Sequence, residues 1–239
     1  LWANAFTLES YVTDSWTKNS VNVVFFDNVV IAKEYIGPAG NDPRRILDGA
    51  VAAWHLADLS DGAGADSALA PEGAVDVGVP LEESERAESL RRGGDGRAAR
   101  FSGGRLSAGQ GAGGELNLAS DALTACLRLR DPSGRFDCPL FSKYGGHERL
   151  VYNFFSTRID GDTVLGFELG TDGGMTQVTA PLSMIGASLW HDVIARYDGA
   201  KVQLFVDGVW LDAGFPVGRL RQGNDEPCLI GGQSRDGAV

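Results

Sequence analysis

Two runs of strict alternation constrain this chain more than any other feature. Trp190-His191-Asp192-Val193-Ile194-Ala195-Arg196-Tyr197 and Lys201-Val202-Gln203-Leu204-Phe205-Val206 are joined through Asp198-Gly199, and Asp207-Gly208 follows at once. Side chains that alternate with period two belong to strands with one face on a core, and the short Asp-Gly joint makes the two runs an antiparallel hairpin. Val202, Leu204 and Val206 form its apolar stripe. The same period recurs in Leu123-Thr124-Ala125-Cys126-Leu127-Arg128-Leu129-Arg130, which puts Leu123, Ala125, Leu127 and Leu129 on one face. Pro139 to Tyr144, Leu150 to Phe155, Val164 to Leu169 and Cys228 to Gly231 are further candidate strands between glycine-bearing turns. About ten to twelve strands at this spacing predict an all-β, two-sheet antiparallel sandwich.

Composition agrees. The 239 residues include 33 Gly and only 2 Met, suited to short strands and tight turns. A length of this order fits one large sandwich, or one plus a fragment of another. The formal net charge is −11, and the only basic pairs are Arg44-Arg45 and Arg91-Arg92. Nucleic acid and anionic membrane surfaces would therefore approach against the mean field, whereas a neutral polymer or a cation would not. No stretch of 18 apolar residues suggests membrane insertion.

The chain divides into a β-strand segment (1–37), a linker rich in Gly and Pro (38–47) and a long unit (48–239). Val21 to Ala32 is β-branched and aromatic, reading as one or two strands broken at Asp27-Asn28. Pro80 to Arg92 has helical character, with Glu82, Glu83, Glu85 and Glu88 ahead of Arg91 and Arg92, and predicts one or two surface turns. The sequence opens at Leu1 and stops at Val239 after a strand-like run, the pattern expected of a piece of a larger polypeptide with flanking domains.

Ala50-Val51-Ala52-Ala53-Trp54, Ala99-Arg100-Phe101, Leu140-Phe141-Ser142-Lys143, Trp190-His191-Asp192-Val193 with Tyr197-Asp198-Gly199, Leu204-Phe205-Val206-Asp207-Gly208 and Leu229-Ile230-Gly231 together carry a likeness. Residues 48 to 233 resemble the laminin-G-like, concanavalin A-like jelly-roll superfamily. The resemblance implies a jelly-roll sandwich, secretion or cell-surface display, and a glycan or polysaccharide partner. It also implies attachment to carbohydrate-active enzymes, in a context similar to family 32 glycoside hydrolases. Domains of this kind finish with a strand resembling Ile-Asp-Asp-Val-x-Ile. Here the nearest match is Phe26-Asp27-Asn28-Val29-Val30-Ile31-Ala32, near the start. Residues 1–37 are thus either the tail of a preceding sister domain or a strand that completes this sheet.

Asn41-Asp42-Pro43, Arg130-Asp131-Pro132 and Glu226-Pro227-Cys228 are similar to the catalytic motifs of those hydrolases. The first has Arg44 where Asn is expected, and Pro227 interrupts the third. The chain is too short for the propeller that converges them, so no catalytic residue is assigned. His55, His147 and His191 are scattered without metal-ligand spacing. The three cysteines, Cys126, Cys138 and Cys228, allow at most one bridge, for which Cys126 and Cys138 are one pairing; the alternative is three small buried apolar residues.

Two binding expectations remain. Asp58, Asp61 and Asp66 sit in a glycine-rich loop and are candidate ligands for a structural Ca²⁺, which takes six to eight oxygens. Asp160-Gly161-Asp162 is a second cluster. The alternative for both is acidic turn residues that cap local backbone groups. For carbohydrate, Arg128, Arg130, Glu168, Gln203 and Phe205 point away from the apolar stripes, and Trp210 offers a platform. Gly166 and Gly170 beside Glu168 leave room for a ligand to approach. The competing expectation pairs Arg128 and Arg130 with Glu168 on a solvated sheet and packs Trp210 over an edge, leaving a structural or protein-interaction domain.

Overall fold

The computed structural model describes residues 24–32, 50–54, 56–59, 62–64, 69–86, 96–109, 114, 116–118, 121–130, 138–182 and 190–232, with backbone only for 24–32, 50 and 62–64. Sixteen strands run through them. The first eight are β1 (Val24–Ala32), β2 (Ala50–Trp54), β3 (Gly62–Gly64), β4 (Ala70–Glu72), β5 (Val75–Pro80), β6 (Arg97–Phe101), β7 (Arg105–Ser107) and β8 (Leu123–Arg130). They are followed by β9 (Cys138–Lys143), β10 (Tyr152–Ile159), β11 (Asp162–Thr171), β12 (Gly174–Pro181), β13 (His191–Tyr197), β14 (Val202–Val206), β15 (Val209–Gly214) and β16 (Leu229–Ile230). The sequence suggested fewer. The additional strands include β3, β4 and β7, of three residues each, too short for alternation to register.

All named strand pairs are antiparallel and fall into two sheets. The first has the order β15-β14-β13-β8-β1-β2-β3, with β6 pairing both β1 and β5. The second has the order β12-β11-β10-β9-β16-β7-β4. β1 lies inside the first sheet. One of its edges pairs with β8, in the register Asp27 to Arg128 and Val30 to Cys126, and a bulge separates those pairs at the expected break. Its other edge is shared by β6, through Val24 to Phe26, and β2, through Val29 to Ala32. A single helical turn at 83–86 is the described part of the expected helical segment.

The core lies between the sheets. Leu123, Ala125, Leu127 and Leu129 of β8 are buried, as are Leu165, Phe167 and Leu169 of β11 and Val202, Leu204 and Val206 of β14, so these strand phases follow the sequence pattern. Aromatic side chains line the second sheet's inner face, and one pair, Phe141 with Trp54 of β2, spans the two layers. Phe141 stacks on Tyr152 at 5.5 Å and meets Trp54 edge-on at 6.2 Å, while Phe154 and Phe167 lie 4.7 Å apart. Such pairs add about 0.5–1.5 kcal/mol each beyond burial.

The Asp-Gly joints have a specific cause. Asp160 and Gly161 between β10 and β11, and Asp207 and Gly208 between β14 and β15, all have positive φ. Two-residue hairpins of this kind need left-handed backbone at both positions, which Asp and Gly tolerate. The Asp207 carboxylate then reaches back to β13: Oδ1 accepts the Asp192 N–H at 2.8 Å and Oδ2 lies 2.6 Å from His191 Nδ1. At the other end of the hairpin, Asp198 Oδ1 accepts from the N–H groups of Ala200 and Lys201 at 3.1 and 3.0 Å. These bonds tie His191 and Asp192 to the Asp207-Gly208 turn and fix the Asp198-Gly199 turn through its own backbone.

Candidate functional site

The outward face of the first sheet carries five of the six residues expected to hold carbohydrate. Arg128 and Arg130 stand on β8, Gln203 and Phe205 on β14, and Trp210 on β15. Register turns part of this set into a row. Trp210 pairs with Phe205, Phe205 with Ile194, and Ile194 with Cys126, crossing four strands. Cross-strand partners share a face, so the row is one continuous apolar stripe. Polar residues flank it, with Asp192 and Arg128 paired on one side and Thr124, Arg196 and Gln203 in line on the other.

Trp210 is 60% exposed, and its Nε1–H donates to the Asp212 carbonyl at 2.9 Å. The polar edge of the indole is thus satisfied inside the strand, leaving a ring face as the part offered to solvent. Phe205 and Ile194 are half-buried.

The two arginines of β8 are already engaged. Arg128 is 6% exposed, with Nε 3.9 Å from Asp192 Oδ1. Arg130 forms an ion pair with Glu85 of the helical turn. Both guanidinium carbons lie 5.6 Å from the Trp190 ring centroid, so the indole is held by two cations. They act as a wall beside the stripe. Cys126, at the stripe's inner end, has its thiol pushed up to about 12 by burial, with the Asp192 charge adding to the effect. A neutral thiol of this kind lines a surface without acting as a nucleophile.

Glu168 is not part of this face. It sits on β11 in the second sheet, where it accepts a hydrogen bond from Asn153 Nδ2 at 2.9 Å, and neither Arg128 nor Arg130 reaches it. The room expected beside it is also occupied. A Cβ on Gly166 would lie 2.6 Å from Phe155 Cε1, and one on Gly170 would lie 2.7 Å from the Leu150 carbonyl carbon. The glycines admit the protein's own ring and backbone.

Of the candidate calcium ligands, Asp58 is exposed, while Asp61 and Asp66 lie outside the described residues. Among the described residues there is no group of three or more His, Cys, Asp or Glu side chains arranged to hold a metal ion. All three cysteines are free. Cys126 and Cys138 do not pair, because the chain crosses from the first sheet to the second between them.

Of the hydrolase-like motifs, Asp42 and Asp131 lie outside the described residues. Glu226 is buried, forms an ion pair with Arg149, and offers its carbonyl to Lys143 Nζ at 2.7 Å. Burial lowers the Lys143 pKa from the usual lysine value, and the nearby Cys228, Glu226 and Asp225 only partly counter it. This buried cluster fastens the 224–228 loop to the end of β9.

Ile194, Asp192 and Arg196 were absent from the expected site. With Val193, Ala195 and Tyr197 in the core, alternation alone turns them outward. An outward Ile between Asp and Arg was the available signal.

Fold and site together define a two-layer antiparallel β-sandwich with an apolar row on one outer face. No family model and no curated protein matches the chain. Solved structures do. One is a mutant of HCR D/C VPI 5995, at 14% identity and a TM-score of 0.43, covering 68% of this chain. Another, from work on endo-acting O-glycanases of the human gut microbiota that initiate mucin breakdown, has 14% identity and a TM-score of 0.29, covering 69% of this chain. The chain spans 37% of the first and 64% of the second.

Proposed function

We propose that this chain is a non-catalytic carbohydrate-binding module that takes a glycan on the outer face of the first sheet. The observation that carries it is Trp210, a ring fixed by its own strand and left 60% exposed beside Phe205, with Gln203, Arg196 and Asp192 alongside. Sugars present apolar C–H faces to such rings and hydroxyl groups to flanking amides, guanidiniums and carboxylates. The wider setting belongs to the same proposal: an exported polypeptide in which flanking domains carry carbohydrate-active chemistry, with a jelly-roll arrangement of the sheets. Among the described residues no helix is long and apolar enough to cross a membrane. Calcium enters only as a structural ion on the loop of Asp58, Asp61 and Asp66.

A glycan-array screen of the chain, with Ca²⁺ and again with EDTA, tests this. Binding to one glycan class is expected, and Trp210→Ala should weaken it about 30-fold, the consequence of losing a central aromatic anchor. No binding to any glycan, with the circular dichroism of a folded β protein, overturns it.

One observation favours a protein-interaction domain instead. Phe215 and Val217 are each 74% exposed, and Val217 rests against the Gly173 turn that leads to Met175, itself 40% exposed. Exposed apolar side chains grouped at one end suit a protein partner. Loss of partner capture in Phe215→Ser with glycan binding intact would assign that role to this end.

A further inference from the structure

Resting on the proposed glycan-binding role of this face, we infer that it takes the terminal stretch of a neutral glycan, about three sugar residues long, with the rest of the chain leaving past Trp210. Exposure falls along the row from outside to inside. Trp210 is 60% exposed, Phe205, Ile194 and Cys126 are half-buried, and Ala53, two strands further in the same register through Val30, is 1% exposed. The flanking positions on β8 close in the same way, with Thr124 at 1% and Arg128 at 6%. The row is therefore open at one end and shut at the other.

The open end is structural. β15 is the last strand of the first sheet, so nothing in that sheet continues beyond Trp210. At the shut end, Trp190 and the Arg130–Glu85 ion pair stand beside the floor, which brings the 83–86 turn up to β8. An internal segment of a polysaccharide needs an exit at both ends of its groove. This face supplies one.

Length and charge narrow the ligand. From Trp210 to Cys126 the row crosses three strand spacings, about 14 Å, and each spacing is close to the advance of one ring in an extended pyranose chain. Two guanidiniums at the face are matched by carboxylates, Arg128 with Asp192 and Arg130 with Glu85, and Arg196 lies close enough to Asp198 for its charge to lower that carboxyl's pKa. No matched cation rewards a uronate, sulfate or sialate strongly, and the net charge of −11 opposes them at a distance.

Isothermal titration of the whole chain with neutral β-linked gluco-, manno- and xylo-oligosaccharides of increasing length tests the inference. Each is also used with a bulky aromatic tag on the reducing end or a blocked non-reducing end. For the series that binds, affinity should level off at about three residues. Blocking one end should weaken binding at least about tenfold and blocking the other should leave it within about twofold. Affinity that keeps rising with chain length, equal tolerance of both blocks, or tighter binding of a uronate series titrated alongside would overturn this inference while Trp210→Ala still weakened binding about 30-fold. If no series binds and the array is blank, the glycan-binding role itself fails. Capture of a second copy or of a protein by this face, lost in Trp210→Ala, would overturn both.

Discussion

Replacing Gly166 by Ala should destabilise the fold, and removing Phe155 should cancel most of that loss. Phe155 is only 8% exposed, and its ring lies where a side chain on residue 166 would stand, with Cε1 2.6 Å from the position of an added Cβ. That separation is about 1 Å short of ordinary carbon contact. Gly166 does not have positive φ, so the substitution acts through the ring and not through backbone strain. Forcing Phe155 aside costs about 1–3 kcal/mol, from which a less flexible unfolded chain returns about 0.4–1. Phe155→Ala alone leaves a void worth about 3–5 kcal/mol. In the double variant the new methyl enters that void without a clash, so its cost should fall about 1–2 kcal/mol short of the sum. Urea unfolding of the four proteins gives the coupling from midpoints, provided the m-value is constant. Additivity within about 0.5 kcal/mol, or wild-type stability of Gly166→Ala, would refute the packing argument.

Asp207→Ala removes the acceptor of the Asp192 N–H and the partner of His191 and should cost about 3 kcal/mol by urea denaturation; a change under about 1 would mean water replaces the carboxylate freely. Trp210→Ala should change stability by less than about 1 kcal/mol, so a large drop in thermal midpoint would show that the ring serves packing. Alkali should weaken the fold. Burial pushes the Cys126 thiol up to about 12, with Asp192 adding, and the Cys228 thiol up to about 11, against 9.0 unfolded. The folded chain therefore holds more protons above pH 9.0, and stability is lost as pH rises through that window. Lys143, lowered from 10.5 by burial, works in the opposite sense below that value. Tyr152 and Tyr197, both raised above 10.0 chiefly by burial, add to the loss as pH passes that value, so four groups act against the one amine. A flat urea midpoint from pH 9.0 to 10.5 would contradict it.

Sequence pattern reached the faces of the strands and stopped there. Alternation correctly placed Leu127 inward and Arg128 outward, and likewise Phe167 and Glu168, because the pleat turns each residue opposite to its neighbour. It carries no information on which layer a strand joins, so Arg128 and Glu168 could be grouped although they stand on different sheets. The same gap allowed Cys126 and Cys138 to be considered as partners. Small residues on an outward face signalled space, but Phe155 fills the space at Gly166 from the adjacent strand. Alternation puts Trp190 on the outward side with Asp192 and Ile194, but its place beside two guanidiniums rests on tertiary packing. Trp210 was legible because a large aromatic directly after a tight turn on an edge strand has little to pack against.

The inward position of β1 has a consequence for how the protein is made. Its hydrogen-bonding edge waits for β8, about 100 residues later in the chain, and parts of its other edge wait for β2 and β6. At about 5–20 residues per second, a ribosome delivers β8 some 5–20 seconds after β1 has emerged. During that interval an apolar, β-branched strand stands without its ladder in a crowded compartment. The rate of synthesis therefore sets how long the ladder edges of β1 stay open.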